Sequence, residues 1–401
     1  MLRARAVALA SLVVVGCGGK DDVTTVAPMP APTAPAPPTT PAQPTPAQPT
    51  PAQAVAAQLA HGGAIYAKYC VLCHGERAEG YRADFAPSLV TETFLATASD
   101  AFLATGIVEG RPGTAMGAYG ISQGGPLAPT DVTALIAWIR SQRPEVVRLE
   151  LPSQPTRGDA ARGKSLYVAN CQSCHGDAAN RINAVQLANP VFLESATDAF
   201  LRHAIVNGRP GTPMLPWQGK LDDGQIDDVI AYLRTWQPAA PTSPAAPPNP
   251  HAGHDHDHAG HDHGPPPALP PITGPVVTNP RGKAPVFTPR EGRFVPAAQV
   301  ADAIKTKKKM IFIDARTPAD YARGHIPGAV LVPYYARERL DAIPNDGTWI
   351  LAYCACPHHA SGEVVDELRR RGYANTAIID EGIVFWEKQG YPMARGAAGA
   401  P

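Results

Sequence analysis

The strongest constraint on this chain is that part of it occurs twice. "DAFLATGIVEGRPGTAM" (Asp100 to Met116) returns as "DAFLRHAIVNGRPGTPM" (Asp198 to Met214), with 12 of 17 positions identical. Upstream of each copy lies a cysteine pair, "CVLCHG" from Cys70 and "CQSCHG" from Cys171. A tyrosine, Tyr66 or Tyr167, stands four residues before each pair. Downstream, Val132, Leu135, Ile136 and Ile139 fall at i, i+3, i+4 and i+7. Ile226, Val229, Ile230 and Leu233 repeat that spacing, so each copy should close with an amphipathic helix. Two copies make a duplicated unit, not a solenoid.

Each copy carries C-x-x-C-H. Zinc, a thioredoxin-like redox pair and a disulfide all use closely spaced cysteines, but zinc would want a second ligand pair that neither unit offers. Two thiols on one helical turn reach the two vinyl groups of one porphyrin, and the next histidine then faces the iron. Cys70, Cys73 and His74, with Cys171, Cys174 and His175, are therefore expected to hold two covalently bound haem c groups. Met116 and Met214 lie 46 and 43 residues beyond the first cysteine of their unit, each in a Gly/Pro loop. Such a loop has the backbone freedom to bring a soft thioether to the iron's other face. Arg111 and Arg209, in the same loops, could pair with haem propionates or lie solvated at the surface. These motifs resemble the class I cytochrome c domain, and the resemblance spans about residues 53–237. It implies two small all-α domains that carry electrons.

The ends and joints of the chain read differently. Arg3 and Arg5 precede a short apolar run ending "VVGC", the pattern of a secretory signal that resembles a bacterial lipobox. By that resemblance Cys17 becomes a lipidated N-terminus, and the protein faces the periplasm on a membrane anchor. Many of the 45 prolines lie between Pro28 and Pro51 and again between Pro238 and Pro296, as extended tethers. The second tether holds six histidines between His251 and His263, a density that binds transition metals without a fold. With 35 basic and 35 acidic residues, nothing points to nucleic acid.

From Phe294 strand and helix patterns alternate. "MIFIDAR", "WILAYC" and "TAIID" read as buried strands and "SGEVVDELRRRG" as an amphipathic helix, which suggests a small parallel-sheet α/β domain. Cys354 stands at the end of "WILAY", where such sheets place reactive groups. "CACPHHAS" could ligate metal, but a strand end facing a helix start favours a nucleophile of lowered pKa. "IDARTPADYARGHIPGAVLVPY" and "GYANTAIIDEGIVFWEKQGYP" resemble the rhodanese family. That implies transfer of sulfane sulfur through a persulfide on Cys354, from thiosulfate or polysulfide to a thiol. The family's loop glycine and arginine are replaced by Pro357 and His359, and His358 or His359 would have to act as the anion clamp. Asp314 and Arg316 match the family's "DaR" motif, read as structural.

The expected organisation is a signal peptide over 1–16 and a tether over 17–52. Cytochrome c domains over 53–146 and 156–237 follow, then a linker over 238–293 and a rhodanese-like domain over 294–395. The expected function is membrane-anchored electron transfer joined to sulfur chemistry, with periplasmic or membrane redox partners. The rivals are a carrier whose rhodanese-like domain only docks a sulfur-bearing partner, and a metal-handling lipoprotein.

Overall fold

In the computed structural model the described residues are 49–238, 269–355 and 358–396. Cys17, most of the first tether, the histidine run, Cys356 and Pro357 lie outside them. None of the described helices is long and apolar enough to cross a membrane.

Both repeats fold by the same local rules. In the first, helix α1 (Pro51–Tyr69) leads to a single helical turn, Val71–His74. Helix α2 (Asp100–Glu109) and helix α3 (Pro129–Ser141) follow. The second repeats this with α4 (Ala160–Asn170), the turn Gln172–His175, α5 (Asp198–Asn207) and α6 (Asp223–Arg234). The eight apolar positions at helical spacing are all buried, on α3 and α6. Each first helix crosses its last helix at a glycine. A Cβ on Gly62 would collide with the Ala134 carbonyl, and one on Gly163 with the Asp228 carbonyl. At both positions the backbones approach too closely for any side chain.

The same arginine locks each repeat. Arg140 Nε donates to Asp100 Oδ1 at 2.7 Å, and its Nη2 to the Ala98 carbonyl at 2.7 Å. Arg234 does this with Asp198 (2.6 Å) and Ala196 (2.5 Å). The repeats then pack on each other through Phe94, Phe102, Phe192 and Phe200, with Phe102 and Phe200 centroids 4.8 Å apart.

The C-terminal domain is a five-stranded parallel sheet. Its strands are β1 (Phe294–Val295), β2 (Ile311–Asp314), β3 (Val330–Leu331), β4 (Ile350–Tyr353) and β5 (Thr376–Ile379), in the order β1-β5-β4-β2-β3. Strands β2, β4 and β5 are buried at every residue, as continuous apolar runs covered on both faces must be. Helices α7 (Ala297–Lys305), α8 (Pro318–Arg323), α9 (His359–Arg370) and α10 (Gly382–Lys388) complete it. Residues 269–293, assigned to the linker by composition, pack on this domain: Thr278 bridges to Met310, and Phe287 is buried.

Candidate functional site

The cysteine turns are built alike. Tyr66 Oη donates to the Gly75 carbonyl at 2.6 Å, and Tyr167 Oη to the Gly176 carbonyl at 2.8 Å. Each tyrosine thus fixes the end of its own C-x-x-C-H turn from the preceding helix. His74 Nδ1 lies 2.9 Å from the Pro87 carbonyl and His175 Nδ1 3.0 Å from the Val185 carbonyl. A proton on Nδ1 makes that bond and leaves Nε2 as the nitrogen that could coordinate a metal. Burial lowers the pKa of both histidines, which keeps the imidazoles neutral.

The methionine loops are also duplicates. Arg111 N donates to the Met116 carbonyl at 2.7 Å, and Met116 N to Thr114 Oγ1 at 3.1 Å. Arg209, Met214 and Thr212 repeat this at 2.8 and 3.2 Å. Gly113 and Gly211 sit at φ 80° and 82° with open space where a Cβ would be, so backbone conformation alone demands glycine there. Arg111 is half-buried: it lies 5.5 Å over Phe102 of its own repeat and 5.9 Å over Phe192 of the other. Arg209 lies 5.2 Å over Phe200 and 5.6 Å over Phe94. Burial pulls both guanidinium pKa values down to about 10. Neither makes an ion pair among the described residues.

These features fit a haem in each repeat. The four cysteines are not disulfide-bonded. Each histidine leaves Nε2 for a ligand, each loop holds a half-buried methionine, and two half-buried guanidiniums have no carboxylate partner among the described residues, a place that a propionate would fill.

The rhodanese-like site is assembled by β4 and α9. Cys354 follows β4 and is 3% exposed, with Sγ 3.3 Å from Ser361 Oγ. Its carbonyl accepts the Ile383 amide at 2.9 Å. Helix α9 starts at His359, two residues before the expected Ser361, so Ser361 is a helical residue beside the thiol. The two histidines part company. His359 lines the cavity at Cys354, while His358, at φ 89°, stacks on Phe294 and bonds Asp380 Oδ1 through Nε2 at 2.7 Å. The His358 imidazole is thus engaged by Asp380 and Phe294 and does not line the cavity at Cys354, and burial, with His359 and Arg293 nearby, lowers its pKa. Asp314 is fully buried and takes Arg316 bidentately at 2.9 and 2.6 Å, a structural tie between β2 and the turn after it.

The repeats and the rhodanese-like domain meet at this point. Leu72, Cys73, Ala115, Gly117 and Tyr119 of the first repeat line one cavity with Cys354. Arg316, Asp320 and Tyr334 complete its far wall. Burial pushes the Cys73 thiol up to about 12, with Asp84 and Cys354 adding to the shift. Tyr334 Oη donates to the Tyr69 carbonyl at 2.7 Å and accepts from Tyr119 Oη at 3.0 Å. A Cβ on Gly117 would stand 2.6 Å from Thr317 Cγ2 and 2.8 Å from Asp320 Oδ2. The matching residue of the second repeat is Leu215, which is 60% exposed. Only the first methionine loop is therefore shaped to take the rhodanese-like domain.

Sequence reading did not single out Gly117, Tyr119 or Tyr334, and it marked Ser361 only as the start of a helix. The Gly117/Leu215 difference was visible, but its meaning needed the docked domain. Among the described residues no three His, Cys, Asp or Glu side chains gather as a metal site.

The family described as cytochrome c oxidase, cbb3-type, subunit III matches residues 57–139 and 158–233. The rhodanese-like domain family matches residues 296–389. A cbb3-type cytochrome c oxidase subunit FixP of Bradyrhizobium sp. (strain ORS 278) is 30% identical over 188 residues, 44% of this chain and 60% of that protein. The chain thus spans about three fifths of the length of such relatives. A probable adenylyltransferase/sulfurtransferase MoeZ of Mycobacterium tuberculosis is 32% identical over 113 residues, 27% of this chain and 26% of that protein. A rhodanese-related protein from Thermoplasma volcanium aligns in structure over 25% of this chain and 97% of that one, at 25% identity and a TM-score of 0.23. The chain joins two electron-transfer domains of the cytochrome c family, which implies haem c, to one rhodanese-like α/β domain.

Proposed function

We propose that this protein couples sulfane-sulfur chemistry at Cys354 to electron transfer through two covalently bound haem c groups. Bound haem would supply a one-electron acceptor in each repeat, and together the two would accept the two electrons released when hydrosulfide and the Cys354 thiolate join to give the Cys354 persulfide and a proton. Cys70 and Cys73, with Cys171 and Cys174, would be the attachment thiols; His74 and Met116, with His175 and Met214, would be the ligand pairs; Arg111 and Arg209 would supply positive charge for the propionates. Cys354 is the sulfur acceptor, oriented by its carbonyl bond to Ile383 and by Ser361. Lipidated Cys17 keeps the protein on the periplasmic side of a membrane, where it meets redox partners.

The observation that carries the coupling is that Cys73 and Cys354 line one cavity. A docking module with no chemical link would have no need to bury its cysteine against a haem-attachment turn. The test is to add polysulfide to the oxidised full-length protein and follow the haem absorption bands. Reduction that disappears in Cys354→Ser is the expected result. Reduction that persists in that variant, or none in the wild type, would overturn the coupling.

A further inference from the structure

We infer that the first cytochrome repeat is a lid over Cys354, and that it restricts the sulfur donor to small inorganic polysulfide. The inference rests on the proposed sulfur chemistry at Cys354 and adds its substrate class. Three observations carry it. Cys354 is 3% exposed although it stands at a strand end, where the ligand face of a parallel sheet is normally open. The cover is not the domain's own loop alone: Cys73, Ala115 and Tyr119 line the cavity from the other domain. The Tyr119–Tyr334–Tyr69 hydrogen bonds and the Gly117 contact then hold that cover in place.

The lining also selects by charge. Its guanidinium, Arg316, is already bonded to both oxygens of Asp314 and to the Gly324 carbonyl at 2.5 Å. Asp320 adds a second carboxyl, and His359 offers a single imidazole. Among the described lining side chains, a dianion with a bulky sulfonate, such as thiosulfate, finds no fork of donors. A tripeptide persulfide is too large for a cavity closed by a neighbouring domain. A hydrodisulfide is small and singly charged. In the step, the Cys354 thiolate attacks one sulfur of HS–S⁻ and a new S–S bond forms as the old one breaks. The products are the Cys354 persulfide and hydrosulfide, with no net gain or loss of electrons.

The test uses the full-length protein carrying Cys356→Ser, so that a sulfur gained by the loop peptide reports Cys354. It is offered sodium polysulfide, thiosulfate or glutathione persulfide, and the peptide mass is read without reduction. Loading from polysulfide at least ~10-fold faster than from either other donor is expected. Gly117→Leu copies the second repeat's residue into the contact and should open the lid, giving loading from glutathione persulfide. Pro318→Trp, set against Gly124, wedges the same interface and serves should Gly117→Leu not fold. Equal loading by polysulfide and glutathione persulfide in the starting protein overturns the lid, as does selectivity that survives both wedges. Rapid loading from thiosulfate overturns the charge selection. No sulfur on Cys354 from any donor, wedged or not, overturns the sulfur chemistry itself.

Discussion

Asp320 sits where the two kinds of domain touch, against Gly117, and it is almost wholly buried. Burial raises its pKa above the usual 3.8, against the pull of Arg316, Thr317 and Arg323. A carboxyl whose folded pKa is raised stabilises fully below its unfolded value and loses that contribution as pH rises through the folded one. The midpoint advantage of wild type over Asp320→Asn should therefore shrink as pH rises from about 4, the ordinary carboxyl value, towards neutrality. Thermal melts of both proteins across that range check it, and a constant or growing advantage would contradict the burial argument. Other single residues were legible without a fold. Tyr66 and Tyr167 were marked by repetition alone, and their hydroxyls turn out to clasp the cysteine turns.

At the scale of elements, duplication works as an internal control. Helices α2 and α5 start on Ser99 and Thr197, whose side chains accept the amides of Phe102 and Phe200 at 3.0 and 3.1 Å. These caps place the two central phenylalanines. Ser99→Ala should cost ~1 kcal/mol, read as a lower denaturation midpoint, because an orphan amide loses its partner. Strands β2, β4 and β5 and helices α3, α6 and α9 were readable from apolar runs and helical spacing. The two-residue strands β1 and β3 were not, since pairs so short carry no periodicity and form only against an existing sheet. The packed segment 269–293 was hidden for a related reason: proline-rich composition resembles a tether until Thr278 finds Met310.

For the whole molecule, the joint between repeats rests on four phenylalanines capped by two arginines. Phe102→Ala removes a ring that touches three others and one guanidinium. It should destabilise the cytochrome region by about 3–5 kcal/mol, measured by denaturant unfolding monitored in the far ultraviolet. The fold classes, the cysteine, histidine and methionine candidates and the rhodanese-like strand-end cysteine were all legible in the bare chain, because each depends on spacing within one segment. It took the packed domains to show which repeat receives the rhodanese-like domain, that Cys354 is covered, and that His359 and not His358 lines its cavity. Those outcomes depend on surfaces hundreds of residues apart. A glycine where the other repeat has leucine becomes meaningful only once Thr317 and Asp320 are pressed against it.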